Sequence, residues 1–486
     1  MPCSARSCES PCANLEAFST GLSRSFRLSA AVGRIEHMFE TVLDADTLAG
    51  WQQSLARAFD NESGLDDAGR IDAIRALEEL VCTATAAQAK LAADFDASQR
   101  AEQTSRGVPA ARRGRGVAAQ VGLARRESHH RGQRHLGLAK IITTELPHTW
   151  AAWRAGRITE WTATLIARET ACLTREYRAT VDQTVAGDPA KLETMGLREV
   201  VAACQAEAAR LDVESVLKRR RRAEADRHVS LRPAPDSMTW LTALLPVKDG
   251  VAVLAALTRA AGTARAAGDP HSKGQVMADT LIDSVLGGTS TSTSTTSGSS
   301  GAGVSVDLVM SDQSLFGDGT AAEEPARLAG VGPIPAELAR ELVVGACTRG
   351  EKIWLRRLYA HPVTGELVTM DTHARLFRNS LARLIRLRDQ TCRTPWCDAP
   401  IRHTDHPEPH TADGPTSGTN GQGLCEACNY AKQAPGWHAT PTPTTSPPGG
   451  HQVETTTPTG HIHRTRPPCL ATIREAPLRI DYVLSC

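Results

Sequence analysis

Four cysteines in the C-terminal part of the chain are the residues best suited to hold a metal ion. Cys392 and Cys397 form a C-x-x-x-x-C pair, and Cys425 and Cys428 form a C-x-x-C pair. Four thiolates in two such pairs can surround Zn²⁺ at Zn–S distances of about 2.3 Å and leave no coordination position open for a substrate. The spacing therefore predicts a structural zinc site that ties the two ends of this stretch together.

Polar groups that a purely structural zinc site does not need lie between and beside these pairs. They are Asp405, His406, Asn420 and Asn429. Their order resembles the HNH nuclease motif, in which a β-hairpin and a helix (the ββα-metal fold) hold one catalytic metal ion. The resemblance implies a nuclease domain built on a treble-clef-like zinc frame.

The resemblance also implies a role for each of these residues. His406 matches the general base that takes a proton from water, and Asp405 matches the acidic metal ligand beside it. Asn420 matches the asparagine that fixes the hairpin loop and orients the base. Asn429 stands where many proteins with this motif have histidine, so this chain is an HNN variant. The resemblance therefore does not determine which metal ion it prefers. An amide oxygen still suits Mg²⁺, and we expect Mg²⁺ or another divalent cation there, beside the structural Zn²⁺.

Phosphodiester chemistry gives each of these residue types a reason. Hydrolysis needs an activated water, a cation that neutralises charge on the phosphate, and help for the leaving oxygen. Histidine is a suitable base near neutral pH, while Asp405 and Asn429 supply oxygen ligands. A lone Asp-His pair is a weak signal, but inside a four-cysteine frame it becomes a specific one.

Basic residues near this frame are the predicted nucleic-acid contacts. Residues 375–389 predict a basic amphipathic helix that leads directly into the zinc frame. Arginine and lysine bind nucleic acid by neutralising phosphates, and the expected partner is double-stranded DNA. The predicted contacts are Arg383, Arg386, Arg388, His403 and Lys432. For His403 a structural role, and for Lys432 a plain surface position, are the alternatives.

Composition limits what the whole chain can be. Its 486 residues exceed one typical domain, and 41% hydrophobic with only 4% aromatic residues indicates helices rich in Ala and Leu. A net charge of +1 means that nucleic-acid contact has to come from local patches. No apolar run is long enough for a membrane span, and the first residues lack the apolar region of a secretory signal. The cysteine pattern indicates a reducing compartment, so we expect a cytoplasmic location.

The chain in order predicts a mainly α N-terminal region, an α+β connecting part and a C-terminal ββα-metal zinc domain. Apolar spacing predicts a long helix from residue 71 onward with Leu80 and Val81 on its buried face, and a β-hairpin follows residue 228. The predicted boundaries are a disordered start at 1–30, a mainly helical domain at 31–286, a Gly/Ser/Thr linker at 287–304, the α+β part at 305–379, the HNH domain at 380–437, a Pro/Thr-rich linker at 438–468 and a tail at 469–486.

A second resemblance covers more of the chain. Residues 122–174 (GLARRESHHRGQRHLGLAKIITTELPHTWAAWRAGRITEWTATLIARETACLT) resemble the actinobacterial domain of unknown function 222, the 13E12 repeat family. In that family a long N-terminal domain precedes an HNH motif, and the resemblance extends over about 35–437. It implies a nuclease domain but assigns the helical domain no function. A DNA-positioning role for the helical domain is a hypothesis from its basic patches.

The sequence therefore predicts a metal-dependent HNH endonuclease that hydrolyses DNA phosphodiester bonds. One alternative is a zinc-stabilised DNA-binding module without cleavage, because zinc frames of this type often bind without catalysis. A weaker alternative is a helical interaction protein with a vestigial C-terminal part. Asp405, His406 and Asn420 together favour the enzyme, since binding alone has no use for them.

Overall fold

The structure is a computed structural model, mostly helical with small two- and three-stranded sheets. It describes residues 44–60, 64–286, 307–316, 324–348, 358–360, 367–370, 377–412, 414–445 and 448–469. The predicted disordered start, the Gly/Ser/Thr linker and all but the first residue of the predicted tail lie outside these ranges. The chain divides by its contacts into two units, residues 1–77 and 78–486.

Helices dominate the chain up to residue 286. In the first unit lies α1 (Ala45–Asp60), and α2 (Asp67–Ser105) begins there and runs on into the second unit. The helices that follow are α3 (Val117–Ala124), α4 (His129–Glu145), α5 (Pro147–Arg154), α6 (Glu160–Thr170), α7 (Arg175–Ala186), α8 (Pro189–Thr194), α9 (Leu197–Leu211), α10 (Val213–Ala225), α11 (Val247–Ala266) and α12 (Lys273–Leu286). Among the described residues, none of the helices combines the length and apolarity needed to cross a bilayer.

The buried face of α2 differs from the predicted one. Leu80 and Val81 are 51% and 54% exposed, and the core is reached instead by Cys82, Ala86 and Ala89. Small side chains at a helix contact allow two helix axes to approach closely, so the Cys/Ala face of α2 packs against its neighbours. The larger apolar residues point away from this contact.

The core of the helical region is apolar and includes the large aromatic side chain of Trp153. Trp153, Ile142, Leu146 and Val181 are fully buried within it. The indole nitrogen of Trp153 donates a hydrogen bond to Thr85 Oγ1 at 3.1 Å, so its single polar group is satisfied inside the core. Burial of this ring therefore leaves no unpaired donor behind.

Helices α3 and α4 cross at a glycine, and this crossing positions the loop between them. A Cβ atom at Gly132 would lie 2.2 Å from the carbonyl oxygen of Ala118, so no larger residue fits without a shift of the backbone. Ser128 caps α4 by accepting a hydrogen bond from the backbone of Arg131. The loop that enters α4 is thereby fixed close to the cysteine region described below.

The predicted hairpin after residue 228 is confirmed. Strands β1 (His228–Pro233) and β2 (Thr239–Leu244) pair antiparallel, with Leu231 opposite Leu241. The connecting part contains β3 (Leu308–Val309), α13 (Asp312–Phe316), β4 (Ala326–Leu328), β5 (Gly332–Ile334), α14 (Ala336–Thr348), β6 (Leu358–Ala360) and β7 (Leu367–Met370). Strands β3, β4 and β5 form one antiparallel sheet in that order, and β6 pairs with β7.

A two-stranded hairpin followed by a helix occupies the cysteine stretch. Helix α15 (Phe377–Asp389) leads into it, strands β8 (His403–Asp405) and β9 (Gln422–Leu424) pair antiparallel, and α16 (Glu426–Lys432) follows. Short 3₁₀ turns lie at Ala110–Arg112 and His410–Ala412.

The segment predicted as a Pro/Thr-rich linker is instead a sheet. Strands β10 (His438–Thr445), β11 (Pro448–Thr456) and β12 (Ile462–Thr465) pair antiparallel in that order. Proline cannot donate to a strand ladder and is tolerated on edge strands or at a strand's first residue. Pro441 and Pro443 lie on the edge strand β10, and Pro448 begins β11, so the prolines stand where a sheet accepts them.

Candidate functional site

The four cysteine sulfurs lie together and are buried. All four Sγ atoms are within 4.8 Å of one another, and Cys397 Sγ is 3.8 Å from Cys425 Sγ and 3.7 Å from Cys428 Sγ. A tetrahedral site with Zn–S bonds of about 2.3 Å has sulfur–sulfur edges of roughly 3.8 Å. The predicted cysteine set is therefore close enough to hold a metal ion and is compatible with structural zinc.

Local backbone structure brings the two pairs together. Cys392 and Cys397 lie in a tight knuckle after α15, where Trp396 adopts a left-handed conformation with φ of 58°. Cys425 caps α16, since its sulfur accepts a hydrogen bond from the backbone of Cys428 at 3.4 Å. The backbone N–H of Cys392 donates to Ala399 O at 3.0 Å and so closes the knuckle.

The four thiols affect one another's ionisation. Contact with Cys392 lowers the pKa of Cys425 and raises the pKa of Cys428. Four sulfurs at this separation cannot all carry negative charge without a cation among them. As a set of thiolates the cluster therefore carries uncompensated negative charge, which a divalent metal ion would balance.

A buried carboxylate anchors the cysteine region to α15. Asp389 is fully buried and accepts hydrogen bonds from Arg388 Nε at 2.7 Å, Arg393 Nη1 at 3.1 Å and Gly423 N at 2.7 Å. A buried charge is tolerated when it is paired and hydrogen-bonded on all sides, as here. Asp389 therefore fixes β9 relative to the end of the helix.

This anchor corrects the prediction for Arg388. Its side chain is 4% exposed, and beyond Asp389 it donates to Gly418 O at 2.6 Å and Gly421 O at 2.7 Å. The guanidinium is therefore inside the domain and is not available to a phosphate. The basic helix turns this one arginine inward because a buried carboxylate and two carbonyls stabilise it there.

Asp405 and His406 stand at the end of β8. Asp405 pairs with Gln422 across the hairpin, and Gln422 Nε2 donates to Asp405 Oδ2 at 3.2 Å. The next residue, His406, is partly exposed, and its Nε2 lies 2.9 Å from Thr416 Oγ1. The strand end thus places a carboxylate and an imidazole at adjacent positions.

Asn420 closes the loop between β8 and β9. It is 2% exposed, its amide oxygen accepts from Glu408 N at 3.0 Å, and its amide nitrogen donates to Glu408 O at 3.0 Å and Pro415 O at 2.9 Å. Both the oxygen and the nitrogen of the side-chain amide are therefore hydrogen-bonded to the backbone of the loop. Asn420 therefore holds the chain two residues beyond His406.

Asn429 and Lys432 lie on one face of α16, three residues apart. Asn429 is 8% exposed, and its Oδ1 has no hydrogen-bond partner among the described residues. Lys432 Nζ lies 2.5 Å from Asp405 Oδ2 and also donates to His406 O and to Pro407 O, the last at 3.3 Å. Lys432 is therefore engaged with the strand end that carries Asp405.

The other predicted nucleic-acid contacts lie in different surroundings. Arg383 pairs with Asp307 at 2.6 Å, with both side chains 41% exposed, and an exposed pair of this kind is weak. Arg386 is exposed on α15. The His403 ring packs against Tyr430 with ring centroids 6.3 Å apart.

Sequence reasoning missed a cleft beside the cysteines. It has a volume of about 950 Å³. One wall is formed by residues 126–131, which are the end of the α3–α4 loop and the first turn of α4, and the other includes Trp396 and Tyr430. These two aromatic rings are 45% and 48% exposed. Burial lowers the pKa of His129 at this wall. The residues of the first wall belong to the stretch 122–174, whose family resemblance was visible in the sequence. Their position beside the cysteines is visible only in the fold.

The helical region and the cysteine region pack directly on each other. Ala119 and Leu123 of α3 lie in one buried apolar cluster with Ala431 of α16 and with Ala434 and Trp437, which follow that helix. Gly116 at the start of α3 has φ of 82°, and a Cβ there would lie 2.5 Å from Trp437 Nε1. Thr459 Oγ1 donates to Gln120 Oε1 at 2.9 Å.

The β10–β12 sheet supports the loop that Asn420 closes. His451 Nε2 lies 3.0 Å from Thr419 O, and Arg393 Nη2 donates to Thr465 O at 2.6 Å. Burial, with the nearby charges of Arg388 and Arg393, lowers the pKa of His451 to about 3. Its imidazole is therefore neutral at neutral pH.

A comparison with known protein families assigns most of the helical region to a family, and the match stops short of the cysteines. A family model described as "Domain of unknown function (DUF222)" matches residues 69–389, which is more than half of the chain. The protein belongs to this family. The match ends at the last residue of α15, so the stretch from Cys392 to Lys432 lies outside it. No curated protein and no solved structure matches the chain.

Proposed function

We propose that residues 380–437 form a metal-dependent endonuclease that hydrolyses phosphodiester bonds in DNA. The observation that carries this proposal is the hairpin-and-helix arrangement at the end of β8. Asp405 and His406 leave the strand there, Asn420 holds the following loop, and α16 reaches the same strand end through Lys432. The HNH resemblance implies the same order of groups along the chain, and this agreement supports the proposal.

In this proposal the four cysteines hold Zn²⁺ as a structural ion. Four protein sulfurs complete a tetrahedron, so the zinc has no free position for water or phosphate. Its contribution is to hold the knuckle against α16 and thereby fix the hairpin between them. Catalysis is assigned to the separate group at the strand end.

Asp405 and Asn429 fit a hard divalent cation. Asp405 offers a carboxylate, and Asn429 offers a buried amide oxygen that has no hydrogen-bond partner among the described residues. A buried polar atom without a hydrogen-bond partner is unfavourable. Coordination of a cation by this amide oxygen would satisfy it. When bound, such a cation would neutralise charge that develops on the phosphate.

His406 is the proposed general base. Its partial exposure allows a water molecule to reach the imidazole, and its contact with the Thr416 hydroxyl restrains the ring. Asn420 holds the backbone at Glu408 from both sides, which limits motion of the loop that carries His406. A proton acceptor held in place near the attacked phosphate contributes typically about 10²- to 10⁴-fold to a rate.

Plasmid nicking tests the proposal. Purified full-length protein is assayed with Mg²⁺, Mn²⁺ or Ni²⁺, beside Asp405→Asn and the matched control Asp398→Asn, an exposed aspartate of the same region. We expect metal-dependent nicking by the wild type and the control, and a loss of at least about 100-fold in Asp405→Asn, as for removal of a group that organises charge at the transition state. Equal nicking by both variants would contradict the assignment.

The second candidate is a zinc-stabilised DNA-binding module without cleavage. The observation that favours it is the ion pair between Lys432 and Asp405, which already gives the proposed metal ligand a cationic partner. This candidate predicts salt-sensitive DNA retention on a gel with no nicking in any metal.

A further inference from the structure

Three oxygen atoms at the end of β8 surround the ammonium group of Lys432. They are Asp405 Oδ2 at 2.5 Å, Pro407 O at 3.3 Å and the carbonyl oxygen of His406. An ammonium group has three donors and no acceptor, so these bonds use all of them. The side chains of Lys432 and Asp405 are only 12% and 17% exposed, which sets this pair apart from the loose ion pairs on the surface.

The same oxygen atoms suit a divalent cation. Carboxylate and backbone carbonyl oxygens are the usual ligands of hard cations. Asn429 stands one helical turn before Lys432, and its buried amide oxygen has no hydrogen-bond partner within the described ranges. Lysine itself cannot be a ligand in its charged form because it has no free electron pair. Lys432 and a divalent cation therefore compete for one carboxylate, and their like charges repel each other.

We propose that Lys432 is the internal counter-cation of the proposed metal site. It neutralises Asp405 when no divalent ion is bound, and it lowers the affinity of the site for that ion. Loading of the site requires release of the Lys432 ammonium group from Asp405. This inference rests on the proposed function, because it assigns the metal to Asp405.

A purely structural role for Lys432 is the competing explanation. Lys432 is the last residue of α16, where a positive charge interacts favourably with the helix dipole and the free carbonyls. That role alone does not involve Asp405, which lies on another element. The two explanations differ in whether a divalent ion and Lys432 exclude each other.

Release of Lys432 also connects two separate observations. The sequence predicts Lys432 as a contact of the DNA backbone, while the structure shows it paired with Asp405. A lysine released from Asp405 regains an unpaired charge beside the strand end. Metal loading and phosphate contact by Lys432 would then occur together.

Binding of Mn²⁺ to the zinc-loaded full-length protein tests the proposal without any activity measurement. The free Mn²⁺ signal in electron paramagnetic resonance gives the Kd of the wild type, Lys432→Met, Asp405→Asn and the exposed control Lys191→Met. We expect Lys432→Met to bind about tenfold tighter or more, since affinity falls with the fraction of molecules whose site is open. Lys191→Met should equal the wild type, and Asp405→Asn should not bind.

The outcomes separate this inference from the proposed function. Equal affinity in Lys432→Met and the wild type, with binding lost in Asp405→Asn, would overturn the competition and leave the metal at Asp405. No Mn²⁺ binding by any of these proteins would overturn both. Zinc content near one equivalent in each preparation shows that a variant has kept its fold.

A measurement on the wild type alone covers the case in which Lys432→Met does not fold. Lysines are labelled briefly with acetic anhydride, with and without Mn²⁺, and quantified by peptide mass spectrometry. We expect labelling of Lys432 to rise several-fold with Mn²⁺, while Lys90, which pairs with Asp94 on the exposed side of α2, stays constant. Unchanged labelling of Lys432 at saturating Mn²⁺ would overturn the proposal.

Discussion

The helical region around Trp153 and the cysteine region around Cys428 are stabilised in different ways. The first buries apolar side chains contributed by helices from α2 to α9. The second buries four cysteines with a single aliphatic residue, Leu424, in the same cluster. Apolar burial stabilises the first region by itself, at roughly 25 cal/mol per Å² removed from water. The apolar cluster of the second region is too small for that, so we expect this region to depend on a metal ion held by the four cysteines.

The two regions are also in direct contact. The cysteine region packs through Trp437 onto α3, which is held in turn by the helical core. A small unit built around four clustered cysteines thus lies against a larger region with an apolar core. The proposed site needs both, because the hairpin is fixed by the cysteines and by the packing of α16.

Loss of the metal is the change with the largest expected effect. Cys428→Ser should unfold the cysteine region, because zinc affinity of about 10–16 kcal/mol in such small units is folding free energy. Residues 130–170 should keep their protection in hydrogen exchange, while residues 392–437 lose theirs. A Cys428→Ser protein with one zinc equivalent and full protection at 392–437 would contradict the four-cysteine site.

Shortening a buried side chain in the helical core tests the other region, after the cysteine substitution has tested the cysteine region. Trp153→Ala should lower the free energy of unfolding of the helical region by about 3–5 kcal/mol, as large-to-small changes of a buried aromatic residue do. Trp161→Ala is the control, because that ring is 46% exposed and should change stability far less. Urea denaturation followed by circular dichroism measures both variants. Equal destabilisation by the two would mean that Trp153 is not part of the core.

The contact between the regions can be loosened at one glycine. Gly116→Ala places a Cβ 2.5 Å from Trp437 Nε1 at a residue with φ of 82°, and we expect a loss of about 1–3 kcal/mol. Gly137→Ala is the matched control, since its position in α4 is open and alanine there should stabilise by about 0.5–1 kcal/mol. Thermal unfolding compares them. Similar transitions for the two variants would show that Trp437 does not pack on Gly116.

The smallest expected effect is a pH dependence of the β10–β12 sheet. The pKa of His451 is lowered from 6.5 to about 3 in the folded protein, facing Arg388, Arg393 and Asp389. The unfolded chain therefore binds the proton more readily than the folded protein does. The contribution of neutral His451 to the free energy of unfolding is complete above pH 6.5 and is lost as the pH falls toward 3. At pH 5.5 the free energy of unfolding is lower than at neutral pH by about 1.4 kcal/mol.

Hydrogen exchange of residues 438–465 at pH 5.5 and 7.5 measures this effect. We expect intrinsic-rate-corrected protection to fall at pH 5.5 in the wild type and in His438→Gln, whose side chain is exposed. His451→Gln should show no such fall, because the titrating group is gone. A fall of the same size in His451→Gln would assign the pH dependence to another group.

Short-range patterns predicted what depends on neighbours in sequence. The C-x-x-x-x-C and C-x-x-C spacings identified the cysteines that the structure brings together, and residue periodicity located the helices α2 and α15. The hairpin after residue 228 was marked by a change from helical to alternating periodicity. Each of these signals is contained in one element or in one pair of adjacent elements.

Features that depend on distant partners were not predictable in this way. Arg388 looks like any other arginine of a basic helix until Asp389, Gly418 and Gly421 are placed around it. The prolines of 438–468 are compatible with both a linker and edge strands, so composition could not decide between them. The ion pair between Lys432 and Asp405 joins two elements, and no spacing rule indicates it.

Nicking of plasmid DNA by His406→Ala tests the central claim most directly. The wild type, His406→Ala and the exposed control His438→Ala are brought to equal zinc content and assayed with the same divalent cation. The account predicts nicking by the wild type and His438→Ala, and loss of nicking in His406→Ala with its zinc retained. Two results would contradict a hydrolytic site separate from the four cysteines. One is nicking by the zinc-replete His406→Ala protein at the rate of the wild type, and the other is loss of zinc in His406→Ala.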